Sequence, residues 1–63
     1  MTDYEMKVIT AMQNYGGSFV KALAGAFVFA DFKNFTKLKN AFPEYWREYT
    51  AIAKRDDNEN DQK

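Results

Sequence analysis

The chain has 63 residues, no cysteine and no histidine, and its formal net charge is zero. A chain this short forms at most one domain and buries only about 60% of its unfolded surface. Disulfides, thiolate metal sites and His-based catalytic pairs are excluded by composition. The six Phe, four Tyr and one Trp must therefore stabilise the fold by dense packing, by self-association, or by both.

The first helix is predicted over about residues 3–14. Thr2 or Asp3 can cap it, and Thr2 with Glu5 has the spacing of a capping box. Its apolar residues recur at helical spacing on one face, namely Val8, Ile9, Met12 and Tyr15. Gly16 and Gly17 are predicted to end the helix, because glycine tolerates a left-handed backbone.

The second helix is predicted from Ser18, as N-cap, to about Ala30. It carries a single charge, on Lys21, and should therefore lie centrally among the other helices. Its predicted inward stripe consists of Phe19, Leu23, Ala26, Phe27 and Ala30, widened by Val20, Ala24 and Val28.

Two further helices follow. Asp31 is the predicted N-cap of a helix over about residues 32–41, with Phe35, Leu38 and Phe42 facing inward. Pro43 suits the first turn of a last helix that reaches about Lys54. The apolar side of that helix consists of Tyr45, Trp46, Tyr49, Ile52 and Ala53.

These elements predict an all-α fold, a bundle of three to four short helices. Its core should centre on Phe19, Leu23, Phe27, Phe35, Leu38 and Trp46. Residues 1–55 form the predicted helical domain. Residues 56–63 contain no apolar side chain and are predicted to be a disordered acidic tail.

Three segments of the sequence resemble a known pattern. Residues 16–23, Ala30-Asp31 and residues 37–49 resemble G-G-S-F-V-x-A-L, A-D and L-K-x-A-F-P-E-Y-W-x-x-Y, as found in short uncharacterised proteins of tailed phages and prophages. The likeness covers about residues 14–52 and is most specific over 41–49. It departs at Phe32, where the pattern leads us to expect proline and hence a sharper helix start. The resemblance implies a phage or prophage origin and no particular activity.

The sequence does not favour catalysis, and no catalytic residue, cofactor or metal site is predicted. Asp31 and Glu44 are explained as residues that begin helices. Glu44 and Glu48 share one helix face and could bind a metal, but a solvated face beside Arg47 is the favoured interpretation. Gly16-Gly17 lacks the lysine and hydroxyl residue that follow in a phosphate-binding loop.

Protein binding is the favoured function, with a host protein, a viral protein or a second copy as partner. The candidate residues are Tyr45, Trp46, Arg47 and Tyr49, of types enriched at binding hot spots. Trp46 and Tyr49 are also predicted to face the core. Surplus aromatics such as Phe29, Phe32 or Tyr45 could instead pack across a homodimer contact.

Nucleic-acid binding is the alternative. Lys21, Lys33 and Lys37 could form a basic face, and clustered positive charge is enough to bind phosphates. The zero net charge and the acidic tail count against it.

No membrane role is expected. The longest apolar stretch, residues 22–30, is far shorter than the roughly 20 residues that span a bilayer. The N-terminus lacks the basic start and apolar run of a signal peptide, so a cytoplasmic location is expected.

Overall fold

The computed structural model describes residues 1–61, with side chains described as far as Asp57. Four helices account for nearly all of this part of the chain, and it contains no strand. They are α1 (Asp3–Tyr15), α2 (Ser18–Phe29), α3 (Phe32–Ala41) and α4 (Pro43–Asp61). The predicted all-α bundle is confirmed.

The starts of three helices follow from local chemistry. Thr2 and Glu5 form the predicted capping box: the Glu5 amide donates to Thr2 Oγ1 at 3.1 Å, and the Thr2 amide donates to Glu5 Oε1 at 2.9 Å. Asp31 Oδ1 accepts from the Asn34 amide at 2.8 Å, so α3 has a capped start although Phe32 stands where the resemblance predicts proline. Pro43 is the first residue of α4, where its missing N–H costs nothing.

The Gly16-Gly17 connection works differently from the prediction. Neither glycine has a positive φ, so the expected left-handed conformation is wrong. At Gly16 the requirement is space, because an added Cβ would lie 2.5 Å from both the Met12 carbonyl oxygen and Val20 Cγ1. Gly17 is the N-cap of α2, and no side chain caps that helix. Ser18, the predicted cap, is its first residue.

The structure corrects the end of α4 and the start of the predicted tail. The helix continues seven residues beyond the predicted end at Lys54 and reaches Asp61. Asp56 and Asp57 belong to the folded body, because Tyr15 Oη donates to Asp56 Oδ2 at 3.2 Å and Lys7 Nζ lies 3.0 Å from Asp57 Oδ2. In the remainder of the predicted tail, the side chains of residues 58–61 and all of residues 62–63 lie outside the described part of the chain.

The core lies where α1 faces α2 and α4. Its fully buried side chains are large and apolar, and no charged side chain is buried among the described residues. The buried face of α2 is the stripe Val20, Leu23, Ala24 and Phe27, rotated from the predicted stripe. Phe19, predicted at the centre of the core, is 54% exposed. Leu38 and Trp46, also predicted there, are partly buried and pack against the core.

Three aromatic rings join α2, α3 and α4. Phe27 lies 5.0 Å from Phe35 and 5.0 Å from Trp46, and Phe35 lies 5.4 Å from Trp46, measured between ring centroids. These tilted and edge-to-face arrangements are the favourable ones for aromatic rings. Lys39 Nζ lies 5.1 Å from the centroid of the Trp46 ring, a cation–π distance. We call Phe27, Phe35 and Trp46 the ring triad.

A candidate interaction surface between α2 and α3

Two phenylalanines stand almost entirely in solvent where α2 meets α3. Phe29, the last residue of α2, is 89% exposed, and Phe32, the first residue of α3, is 87% exposed. Phe27 and Phe29 differ by about 200° around a helix, so burial of one turns the other outward. We call Phe29 and Phe32, with Ala30 and Asp31 between them, the corner. Folding leaves both rings of the corner without an apolar environment.

An apolar groove leads away from the corner between α2 and α3. Its volume is about 450 Å³. It is lined from α2 and its C-cap by Ala26, Phe29 and Ala30, and from α3 by Asn34, Lys37, Leu38 and Ala41. The alanines are too short to close the space between the two helices, so the groove stays open. We refer to this space as the groove.

A smaller hollow lies on the other side of Ala30. Its volume is about 110 Å³, and it is lined by Met1, Glu5, Ala30, Asp31, Phe32 and Phe35. Each exposed phenylalanine therefore borders its own depression, and Ala30 borders both. At the corner, two exposed rings therefore stand on either side of Ala30 and the exposed Asp31, each beside a depression.

Charge is concentrated on the same half of the molecule. Residues 18–42 contain four lysines and one acidic residue, giving +4 − 1 = +3. Residues 1–17 contain one basic and two acidic residues, giving −1, and residues 43–61 contain three basic and six acidic residues, giving −3. The net charge of the chain is zero because acidic residues elsewhere balance the basic α2–α3 half. Asp31, the single acid in that half, accepts the capping hydrogen bond of α3.

The four residues predicted to bind a protein do not share one open surface. Tyr49 is buried at 8% exposure, and the prediction that Trp46 and Tyr49 face the core is confirmed. The prediction that Tyr49 contacts a partner protein is therefore wrong, because its side chain is buried in the core. Tyr45 is half-buried and packs its ring against Phe19 at 5.7 Å, while Arg47 is exposed. In the predicted alternative set of surplus aromatics, Phe29 and Phe32 are indeed exposed.

The predicted basic face is only partly brought together. Lys21, Lys33 and Lys37 are all exposed. Lys33 and Lys37 are one helical turn apart on α3, and Lys37 lines the groove. Lys21 lies eight residues before Phe29 on α2, about 12 Å along the helix axis. The lysines of α3, rather than the full set, therefore accompany the exposed aromatics.

Glu5 is the carboxylate whose environment is most clearly defined. Its pKa is lowered from 4.5, chiefly because the backbone amide of Thr2 donates a hydrogen bond to it. The Thr2 side chain and the positive charge of Lys39 lower the pKa further, while burial raises it. The capping box explains these interactions without a catalytic role.

Two other kinds of site are absent from the described residues. No group of three or more Asp and Glu side chains is arranged to hold a metal ion there. No helix in that part combines the length and apolar character needed to cross a bilayer.

Comparisons with protein-family models, with curated proteins and with solved structures find no match to this chain.

The residues that sequence reasoning missed are the small ones lining the groove, Ala26, Ala30 and Ala41. The available signal was the four-residue spacing of Ala26 and Ala30 at the end of α2, together with Ala41 at the end of α3, since alanine leaves space that larger side chains would fill.

Proposed function

We propose that this protein acts without catalysis, by binding another protein at the corner and the groove. The exposure of Phe29 and Phe32 carries the proposal. Burying a phenylalanine side chain contributes roughly 1.5–3 kcal/mol, and folding gains none of this from these two rings. A partner that covers them gains it instead. Large aromatic side chains beside a pocket are also typical of binding hot spots.

The resemblance to phage and prophage proteins supplies the proposed setting. We propose an accessory protein of a phage or prophage, acting in the cytoplasm of the host cell on a host or viral protein. The sequence pattern supports this origin, while the corner supports the mode of action.

Binding of single-stranded nucleic acid is the second candidate. Phe32 precedes Lys33, and Phe29 and Lys37 line the same groove. Exposed aromatic rings can stack on bases while lysines neutralise phosphates. Protein binding is favoured because five of the seven residues that line the groove are apolar and accommodate apolar side chains. The zero net charge of the chain gives phosphates little overall attraction.

Affinity capture from cells that encode the chain tests the proposal. Wild type should retain a specific protein, and the double variant Phe29→Ala/Phe32→Ala should lose it while keeping its helical circular dichroism. Tyr4→Ala is the matched control, because Tyr4 is an exposed aromatic of α1 that lines neither the groove nor the smaller hollow. Equal capture by wild type and the double variant would contradict the proposal.

A fluorescently labelled oligonucleotide of single-stranded DNA tests the second candidate. Salt-sensitive binding at micromolar protein, lost in Lys33→Ala/Lys37→Ala, would favour nucleic acid over a protein partner.

A further inference from the structure

We propose that the groove is the docking site for one amphipathic helix of a partner protein, and that acidic residues flank the apolar face of that helix. This inference rests on the proposed function and specifies the chemistry of the partner. Its basis is the spacing of the groove walls, the helical character of the surrounding backbone, and the sign of the nearby charge.

The walls of the groove have the spacing of a helix-packing surface. The lining residues of α3 occupy positions 34, 37, 38 and 41, and those contributed by α2 and its C-cap occupy 26, 29 and 30. Each set follows the 3/4 spacing of a single helical stripe. Two stripes side by side form a seat for a third helix. From position 34 to 41 the seat extends about 10 Å, or two helical turns.

The surrounding backbone favours a helical occupant over an extended one. Every secondary-structure element in residues 1–61 is a helix, so no sheet edge is present there to pair with an added strand. An extended segment would find few hydrogen-bond partners for its N–H and C=O groups, because five of the seven lining residues are apolar. A helix satisfies those groups internally and presents only side chains to the groove. Its anchors should therefore recur at i, i+3 or i+4, and i+7.

The charge beside the groove selects an acidic partner. Lys37 lines the groove and Lys33 precedes it by one turn on the same helix, both exposed. The lining contains no acidic residue. Glutamate or aspartate on the flanks of the incoming helix would face these lysines, whereas a basic helix would be repelled. Such exposed pairs set orientation and association rate more than affinity, and they weaken with salt.

A second copy of the chain fits this surface less well. In a symmetric dimer over the groove, Lys37 of each copy would approach the same positive surface of the other. The acidic end of α4 could supply the opposite charge, but residues 54–61 contain no apolar side chain to fill the groove. The acidic end of α4 therefore lacks the apolar anchors that the groove requires.

Selection from a library of random displayed 18-residue peptides tests the inference on the full-length protein. Enriched peptides should show apolar residues at helical spacing flanked by Asp and Glu. A synthetic version of one should bind with a fluorescence-anisotropy affinity that Phe29→Ala weakens at least tenfold. Lys37→Glu should shift the selected flanks towards Lys and Arg. Ala26→Glu, which places a long charged side chain in the groove wall, should also weaken binding at least tenfold.

The contrary outcomes are equally defined. The inference is overturned if no peptide is enriched, if enriched peptides lack helical spacing or acidic flanks, or if Lys37→Glu leaves the selected charge unchanged. Circular dichroism melting of each variant establishes that the fold persists. Concentration-dependent sedimentation of the protein alone, abolished by Phe29→Ala, would assign the groove to a second copy and overturn it as well.

Failure here is distinguishable from failure of the proposed function. A captured protein that depends on Phe29 and Phe32, combined with a peptide selection lacking acidic helices, would retain protein binding and reject the helix chemistry. Salt-sensitive oligonucleotide binding without either would reject both.

Discussion

Phe27 and Phe29 are two residues apart on one helix, yet they belong to opposite regions of the molecule. Phe27 is 1% exposed within the ring triad, and Phe29 is 89% exposed beside the groove. On the closed side, the face of α1 is buried against α2 and α4, and the core there contains no charged residue. On the open side, α2 and α3 leave an apolar space bordered by lysine. The same residue type therefore stabilises the fold in one region and remains available for binding in the other.

The largest expected difference in stability is between the alanine variants of Phe27 and Phe29. Phe27→Ala should cost about 3–5 kcal/mol of unfolding free energy, because it leaves a cavity among packed rings. A single core this small rarely supplies more than about 3–5 kcal/mol, so the variant should be largely unfolded. Phe29→Ala should change stability by less than about 0.5 kcal/mol. Urea titration followed by circular dichroism measures both.

Equal destabilisation by Phe27→Ala and Phe29→Ala would contradict the assignment of Phe27 to the core and of Phe29 to the surface. Phe27→Leu serves as an intermediate control, because it keeps part of the buried volume and should retain more stability than Phe27→Ala.

Gly16 tests how closely α1 and α2 pack on the closed side. Gly16→Ala should cost about 1–3 kcal/mol, the usual penalty of overpacking. The new Cβ meets backbone at the Met12 carbonyl oxygen as well as the Val20 side chain, each within 2.5 Å, so α1 and α2 must move apart. Thermal melting measures the loss. An unchanged melting temperature would show that the contact between these helices is looser than described.

Alanine at Gly25 should change the stability in the opposite direction. A Cβ added there meets nothing within 4 Å, and the residue lies inside α2. Gly25→Ala should therefore stabilise the protein by about 0.5–1 kcal/mol, because alanine loses less backbone entropy in a helix. The same melting experiment as for Gly16→Ala provides a matched pair. A lower melting temperature would mean that α2 is approached more closely at this position than the structure indicates.

Asp57 tests whether the end of α4 belongs to the closed side. Asp57→Asn removes the ion pair with Lys7. The Lys7 side chain is 54% exposed and the Asp57 side chain is 36% exposed. A loss of about 0.2–1 kcal/mol is expected, and it should shrink as salt screens the pair. Urea titrations at low and high sodium chloride measure it. A loss that does not depend on salt would point to packing rather than charge.

Glu5 should give the smallest effect. Because its pKa is lowered in the folded state, its charge stabilises the fold at pH values above the unfolded value near 4.5 and ceases to do so as pH falls through the lower folded value. Glu5→Gln keeps a capping side chain but loses this charge. Wild type should exceed the variant in stability at neutral pH, and the difference should disappear in acid. A constant difference across the titration would contradict the assignment.

The start of each well-capped helix could be read from the sequence. Thr2 with Glu5, Asp31, and Pro43 act on backbone groups within one turn, so their effect does not depend on the rest of the fold. That some aromatic rings would stay exposed was also foreseeable, because so many rings cannot all be buried in so short a chain.

Other features depended on contacts between distant parts of the chain. Phe19 lies on one of two neighbouring apolar stripes of α2, and only packing against α1 decides that Val20 rather than Phe19 is buried. Composition predicted that the tail begins at residue 56, whereas contacts with Lys7 and Tyr15, 50 and 41 residues away, attach Asp57 and Asp56 to the body. The groove likewise depends on how α2 and α3 are placed relative to each other, because residues of both helices line it.

An all-helical chain with capped helix starts, and with more aromatic rings than its core can bury, follows from the amino-acid sequence alone. Tertiary structure decided which rings are surplus. Helical periodicity fixes the angles between side chains on one helix, but the rotation of that helix against its neighbours is set by the packing of the whole core. That rotation places Phe27 inside and leaves Phe29, with Phe32, at the open groove.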